Sequence, residues 1–190
     1  ATELSAILAF SAIKNNDKVG VIFFSDIIEE FIPPKKGKSH ILRIIRQILS
    51  FKPKNKKTDI SQAIEYFNNV MKKRCICFIL SDYISPSFEK PLKIASKKHD
   101  IVALRISDER EKKLPNVGLV PLKDAENDTI SYVDTSSKII RNLFSKNQKE
   151  NEEELLKLFP KCGVDMIDII TGEDYVKPLI SFFKNREKRR

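Results

Sequence analysis

Glycine is scarce in this chain, and its scarcity removes whole classes of function. Five glycines among 190 residues form no Gly-x-x-x-x-Gly-Lys phosphate loop and no glycine-rich dinucleotide turn, both of which need backbone approaches that only glycine permits. No Gly-x-Ser-x-Gly elbow is present either, so the nucleophile turn of the α/β-hydrolases is missing. Histidine is rarer still. The two residues, His40 at a helix start and His99 ahead of a strand, have neither zinc-pair spacing nor a partnered nucleophile. His99 beside Asp100 reads as a surface pair. Three cysteines make an odd count without framework spacing. Cys75 and Cys77 stand two apart on a strand, point the same way and cannot close a relaxed disulfide. Cys162 falls at a helix end, away from the positive helix start that activates thiols. This usage predicts a reduced, cytoplasmic setting. No apolar run approaches the roughly 20 residues of a membrane helix, and no signal peptide opens the chain. It begins at Ala1, which predicts a processed protein or a fragment. Together these absences predict a protein that is not an enzyme.

What is present is charge on a substantial core. Hydrophobic residues make up 41% and charged residues 32%, the balance of a globular protein with an ionised surface. The length suits one domain spanning residues 1–190. The net charge of +9 raises a second function class, a basic polyanion-binding (nucleic-acid) protein. Five of the basic residues (Lys184, Arg186, Lys188, Arg189, Arg190) crowd the C-terminus.

The hydrophobic pattern alternates helix and strand. Leu4, Ile7, Leu8 and Ile13 mark a helix ending near Asn15-Asn16-Asp17, and Val19–Phe24 is an apolar strand. Ile27–Ile32 reads as an antiparallel edge strand stopped by Pro33-Pro34. Ser39 is placed to cap a helix carrying Ile41, Ile44 and Ile48. After a lysine-rich loop at 52–57, Thr58 or Asp59 caps the next helix. Cys75–Leu80 follows, an apolar run that reads as a strand buried on both faces of a parallel sheet. A helix from about Ser87, a strand at Ile101–Ile106, a hairpin at about 118–133, a helix from Ser136 toward Lys161, a strand at Val164–Ile170 and a helix capped by Asp174 complete the chain. The fold class is α/β, a three-layer sandwich with a mostly parallel central sheet and one antiparallel edge strand.

Two hydroxyl–carboxylate pairs stand out. Ser81-Asp82 closes the apolar run, beyond the carboxyl end of its strand, where such sheets place ligands. Thr58-Asp59 opens a helix upstream, where either residue also serves as an ordinary cap. Asp26 lies at a strand end too, with only its position to mark it.

Asp17–Asp26, Phe31–Gly37, Thr58-Asp59-Ile60, Phe78–Asp82 and Asp174–Leu179 resemble, in order, segments of the bacterial family called domain of unknown function 58. The resemblance implies a von Willebrand factor A-like domain, whose Mg²⁺ site takes an Asp-x-Ser-x-Ser loop after the first strand, a later Thr, and an Asp ending a central strand. Thr58 matches the second element and Asp82 the third. The first strand and its loop have no counterpart, so Mg²⁺ is expected in an intact protein and no tight binding here, because this ion demands near-octahedral oxygen ligation. In the A-domain order 3-2-1-4-5-6 the missing strand leaves open edges on Val19–Phe24 and Cys75–Leu80. Either those strands close on each other, or another segment or a second chain fills the gap.

The resulting expectation is a protein–protein interaction module whose cation takes a partner's carboxylate, with a MoxR-type AAA+ ATPase as the partner the resemblance implies, in protein assembly or maturation. No membrane association is expected. Strand direction puts Lys52, Lys54, Lys56 and Lys57 on Thr58's side and Lys35, Lys36, Lys38, Lys72, Lys73 and Arg74 at the other end. Basic clusters so divided form no continuous groove for a duplex. The 118–133 hairpin is expected to overhang the ligand face, bringing Asp124, Glu126 and Asp128.

Overall fold

The computed structural model describes residues 2–109, 113–123 and 129–187. They form an α/β protein that divides into two compact units, Ala1–Lys73 with Ile84–Pro91, and Arg74–Tyr83 with Leu92–Arg190.

In the first unit, helix α1 (Thr2–Lys14) packs on α2 (Lys38–Ser50), and strands β1 (Val19–Phe24) and β2 (Ile28–Lys35) pair antiparallel beside α3 (Ile60–Val70). Buried Ile41 and Ile44 of α2, one turn apart, join Leu4, Ile32, Ile60 and Ile64 in the core. Leu42 and Leu49 of the same helix remain exposed. Two sequence expectations need correction. First, β2 runs through Pro33 and Pro34, because the ladder shifts register between Val19 and Val21. A bulge on an edge strand tolerates the missing N–H groups. Gly20 makes this geometry possible: a Cβ there would lie 2.8 Å from the Ile32 carbonyl oxygen and 2.9 Å from the Pro34 ring. Second, α2 is capped by Gly37 with φ 105°, not by Ser39, which falls inside the first turn.

In the second unit, β3 (Ile76–Ser81), β4 (Asp100–Ser107) and β7 (Asp165–Ile170) form a parallel sheet in the order β3-β4-β7. Strand β4 is its buried centre, with Ile101, Val102, Ala103 and Leu104 all inaccessible. The apolar run read as doubly buried lies at an edge of this ladder, where the resemblance left an open edge, and Ile76 at its start is 52% exposed. Periodicity cannot separate these cases, since an edge strand and a central one carry the same apolar alphabet. Among the described residues, β1 pairs with β2 alone and β3 with β4 alone.

Helix α4 (Glu89–Lys98) enters β4, while α5 (Lys138–Lys161) and α6 (Val176–Glu187) pack against β7. Helix α5 ends in paired bonds: the Gly163 N–H donates to the Pro160 carbonyl and the Val164 N–H to the Phe159 carbonyl, both at 2.9 Å. Gly163 at φ 70° supplies the left-handed residue this termination requires. The hairpin forms as expected from β5 (Leu119–Lys123) and β6 (Ile130–Asp134). Its turn acids Asp124, Glu126 and Asp128, and the terminal Lys188, Arg189 and Arg190, lie outside the described residues.

Candidate functional site

Two short segments carry the sequence-identified residues, Thr58 in the first unit and Asp82 in the second. Each is fixed by its own local chemistry.

Asp59, not Thr58, is the N-cap of α3: its carboxylate accepts from the Gln62 N–H at 3.0 Å. Thr58 thus has no capping duty, and its half-buried side chain is left to other uses. The start of α3 is tied twice more. The Asp59 N–H donates to the Ser25 carbonyl at 2.9 Å, at the end of β1. The Ser85 hydroxyl accepts from the Ile60 N–H at 3.2 Å and donates to the Thr58 carbonyl at 3.3 Å. Nothing in the sequence singled out Ser85, because a lone serine in a polar loop has no pattern.

The loop ahead of Thr58 is clamped rather than loose. Glu29 Oε1 accepts from the buried Ser25 hydroxyl at 2.8 Å and from the backbone N–H groups of Lys54 at 2.9 Å and Asn55 at 3.4 Å. The Asn55 amide donates to Asp26 Oδ1 at 2.7 Å, and the Phe51 ring stacks on Phe23 at 4.4 Å. Against the upward push of desolvation, these hydrogen bonds and the Lys54 charge hold the Glu29 carboxyl below its ordinary 4.5. Asp26 is thus a loop anchor. Lys35 sits opposite Val19 at the start of β1, whereas Ser25, the clamp and Thr58 gather at its end. Lys35 and the 52–57 loop are thereby placed at opposite ends of the β1-β2 pair, as strand direction predicted.

Asp82 follows directly on β3. The Ser81 hydroxyl donates to Asp82 Oδ1 at 3.3 Å and accepts from the Tyr83 N–H at 3.1 Å, so the serine orients the carboxylate. Tyr83 adopts φ 63°, an uncommon state for a bulky residue. It is held there by burial, by its hydroxyl donating to the Ile79 carbonyl at 2.7 Å, and by an edge-on ring contact with Phe159 at 5.0 Å. Backbone strain directly after an acidic residue at a strand end is the sort of feature functional rims retain. No side-chain periodicity announces it.

Other reactive groups are buried or ion-paired within the second unit. His99 is 2% exposed, which overturns the surface-pair reading, and Asp100 bonds Arg186 instead. His99 Nδ1 lies 3.4 Å from Cys75 Sγ. Burial pushes the Cys75 thiol up and the His99 imidazole down, and drives Cys77 up to about 12. Burial thus disfavours the charged form of both partners of this pair. Arg105, 6% exposed, is bound by Asp168 at 2.5 Å and Glu152 at 2.7 Å, and so joins β4 to β7 and α5. Arg186 of α6 bridges Asp100 and Asp165 at the sheet's amino edge. Among the described residues, no three His, Cys, Asp or Glu side chains gather as a metal group. Nor is any described helix long and apolar enough to cross a membrane.

Comparison with known proteins gives this architecture a lineage. Uncharacterized protein Rv1480 of Mycobacterium tuberculosis (strain ATCC 25618 / H37Rv) is 22% identical over 191 residues, covering 99% of this chain and 60% of that protein. Uncharacterized protein MAV169 of Mycobacterium avium is 24% identical over 160 residues, covering 83% of this chain and 94% of that one. The chain thus spans only 60% of the length of several curated relatives that it matches nearly end to end. Among solved structures, the conserved hypothetical protein BatB from Bacteroides thetaiotaomicron has a TM-score of 0.52 at 14% identity, covering all of this chain and 89% of that one. An aerotolerance-related membrane protein from Bacteroides fragilis NCTC 9343 has a TM-score of 0.52 at 15% identity, covering 88% and 80%. These two likenesses speak to the fold alone. Residues 1–154 match the family described as protein of unknown function DUF58, and the chain belongs to that family.

Proposed function

We propose that this chain is a von Willebrand factor A-like protein-interaction module without catalytic activity, in which Thr58 and Asp82 serve one divalent-cation rim. The observation that carries this reading is the pinning of Thr58 through Ser85. Asp82 precedes Ser85 by three residues, a separation that even an extended chain spans in only about 11 Å. With Asp59 doing the capping, the Thr58 hydroxyl has no helix duty to compete with ligation. Ser81 presents the Asp82 carboxylate. The likeness to the BatB fold is consistent with an A-domain. The strand orders β1-β2 and β3-β4-β7, each within its own unit, are compatible with an A-domain order that lacks its first strand.

Thr58 and Asp82 alone do not fit Mg²⁺, which takes six oxygens in tight geometry. Waters or further residues would have to complete the six, and the cation would then hold a carboxylate of the partner. A MoxR-type AAA+ ATPase is the partner that family resemblance favours, with protein assembly or maturation as the setting and the cytoplasm as the place. The decisive experiment is capture of the MoxR-type ATPase encoded in the same genome, by the protein as its gene encodes it, in Mg²⁺ and in EDTA. Capture lost in EDTA and in Asp82→Ala supports the reading. Capture indifferent to both overturns it.

A further inference from the structure

The strongest unassigned feature outside the Thr58–Asp82 rim is the loop ahead of Thr58. Lys52, Lys54, Lys56 and Lys57 fall within six residues and all are exposed, while Asn55 between them turns inward. A lysine-rich loop is usually a mobile, solvated segment. This one is held at its leading flank and in its middle, by Phe51 on Phe23, by the Lys54 and Asn55 N–H groups on Glu29, and by the Asn55 amide on Asp26. The backbone donors at its centre are therefore turned into the clamp. What the loop presents outward is ammonium groups.

We infer that residues 52–57 form a preformed docking surface for a carboxylate-rich segment of a partner protein, held in presentation by the Glu29 clamp. Charge complementarity names the occupant. The first unit carries 14 Lys and Arg against 8 Asp and Glu, so its field draws acidic chains toward this loop. Nucleic acid fits less well. The loop offers no open aromatic platform for a base, since the Phe51 ring is already stacked on Phe23. A loop ordered before binding loses less freedom on docking, which converts weak surface attraction into usable affinity. This deepens the interaction reading by naming the partner's chemistry, yet requires no cation.

The test is fluorescence anisotropy of the whole chain with two labelled probes, a twelve-residue glutamate peptide and a charge-matched single-stranded oligodeoxynucleotide, in EDTA throughout and across a salt series. The peptide is expected to bind with an affinity that falls steeply with salt. The combined Lys54→Gln, Lys56→Gln and Lys57→Gln variant should weaken it roughly tenfold. Glu29→Gln should weaken it roughly threefold although it makes the protein more positive, because a neutral amide oxygen grips the loop less strongly than the carboxylate. Asn55→Ala, which breaks the second tie, should act in the same direction and provides a check should Glu29→Gln fold poorly. Tighter or unchanged binding by the clamp variants overturns the inference, as does an unaffected triple-lysine variant or a preference for the oligonucleotide. Because EDTA is present, failure here is separate from failure of the metal-dependent reading.

Discussion

The two units spend their charges differently. In the second, arginines are committed to the fold: Arg105 is buried between Asp168 and Glu152, and Arg186 ties Asp100 and Asp165 while lying 5.3 Å from the Phe182 ring. Its basic and acidic residues nearly balance, 21 against 18. In the first unit the carboxylates of Glu29 and Asp26 hold backbone and amide groups instead, and a run of lysines is left outside. The ion-paired arginines of one region thus contrast with the exposed 52–57 lysines of the other. A net charge of +9 for the whole chain conceals this division.

The sharpest way to break the contrast is Arg105→Ala. Removing a buried cation strands two carboxylates that are each about a third exposed, which lowers the usual cost of an orphaned buried pair to about 3 kcal/mol. Hydrogen-exchange mass spectrometry should show the loss of protection in β4, β7 and α5 while β1 and β2 stay protected. Equal loss in both ladders would erase the distinction. Next comes Gly20→Ala, expected to cost about 2 kcal/mol because the new methyl meets backbone and the Pro34 ring at under 3 Å. Its signature is faster exchange in the β1-β2 pair, and an unchanged rate there would show that the bulge relaxes freely. Asp59→Ala removes the one side-chain cap of α3 and should cost about 1 kcal/mol, read by urea unfolding.

The smallest effect concerns pH. The Glu29 carboxyl is held below 4.5 in the folded state, so its stabilising contribution is complete above that value and is lost as the pH falls through the folded value. Melting temperatures of the native protein and Glu29→Gln should therefore differ at neutral pH and converge in acid. A gap that stays constant down to pH 3 would mean the carboxylate's charge is not what holds the loop.

Much of the fold was legible because strand–helix alternation survives in hydrophobic spacing. The helix from Thr2, the hairpin, the strand at β7 and the Asp174 cap, whose carboxylate accepts from the Val176 N–H at 3.0 Å, follow from local patterns. What failed was information held by neighbours. Whether β3 or β4 sits at the centre depends on which strands pair, not on their composition. Pro33 and Pro34 stay inside a strand only because Gly20 stands across from them. At the candidate site, Thr58 and Asp82 could be named from sequence, whereas the Ser85 tie, the Glu29 clamp and the strained Tyr83 could not. Each of these joins residues distant in the chain or rests on a backbone state without a residue signature.

The central claim is that Thr58 and Asp82 answer to one cation, and paramagnetic relaxation by Mn²⁺ tests it most directly, since it detects even weak occupancy. Titrated into the isotope-labelled chain, Mn²⁺ should broaden the Thr58 and Asp82 resonances together at the same metal concentration, and Asp82→Ala should spare Thr58. Broadening of one residue without the other, or of Thr58 unchanged by Asp82→Ala, would contradict the claim.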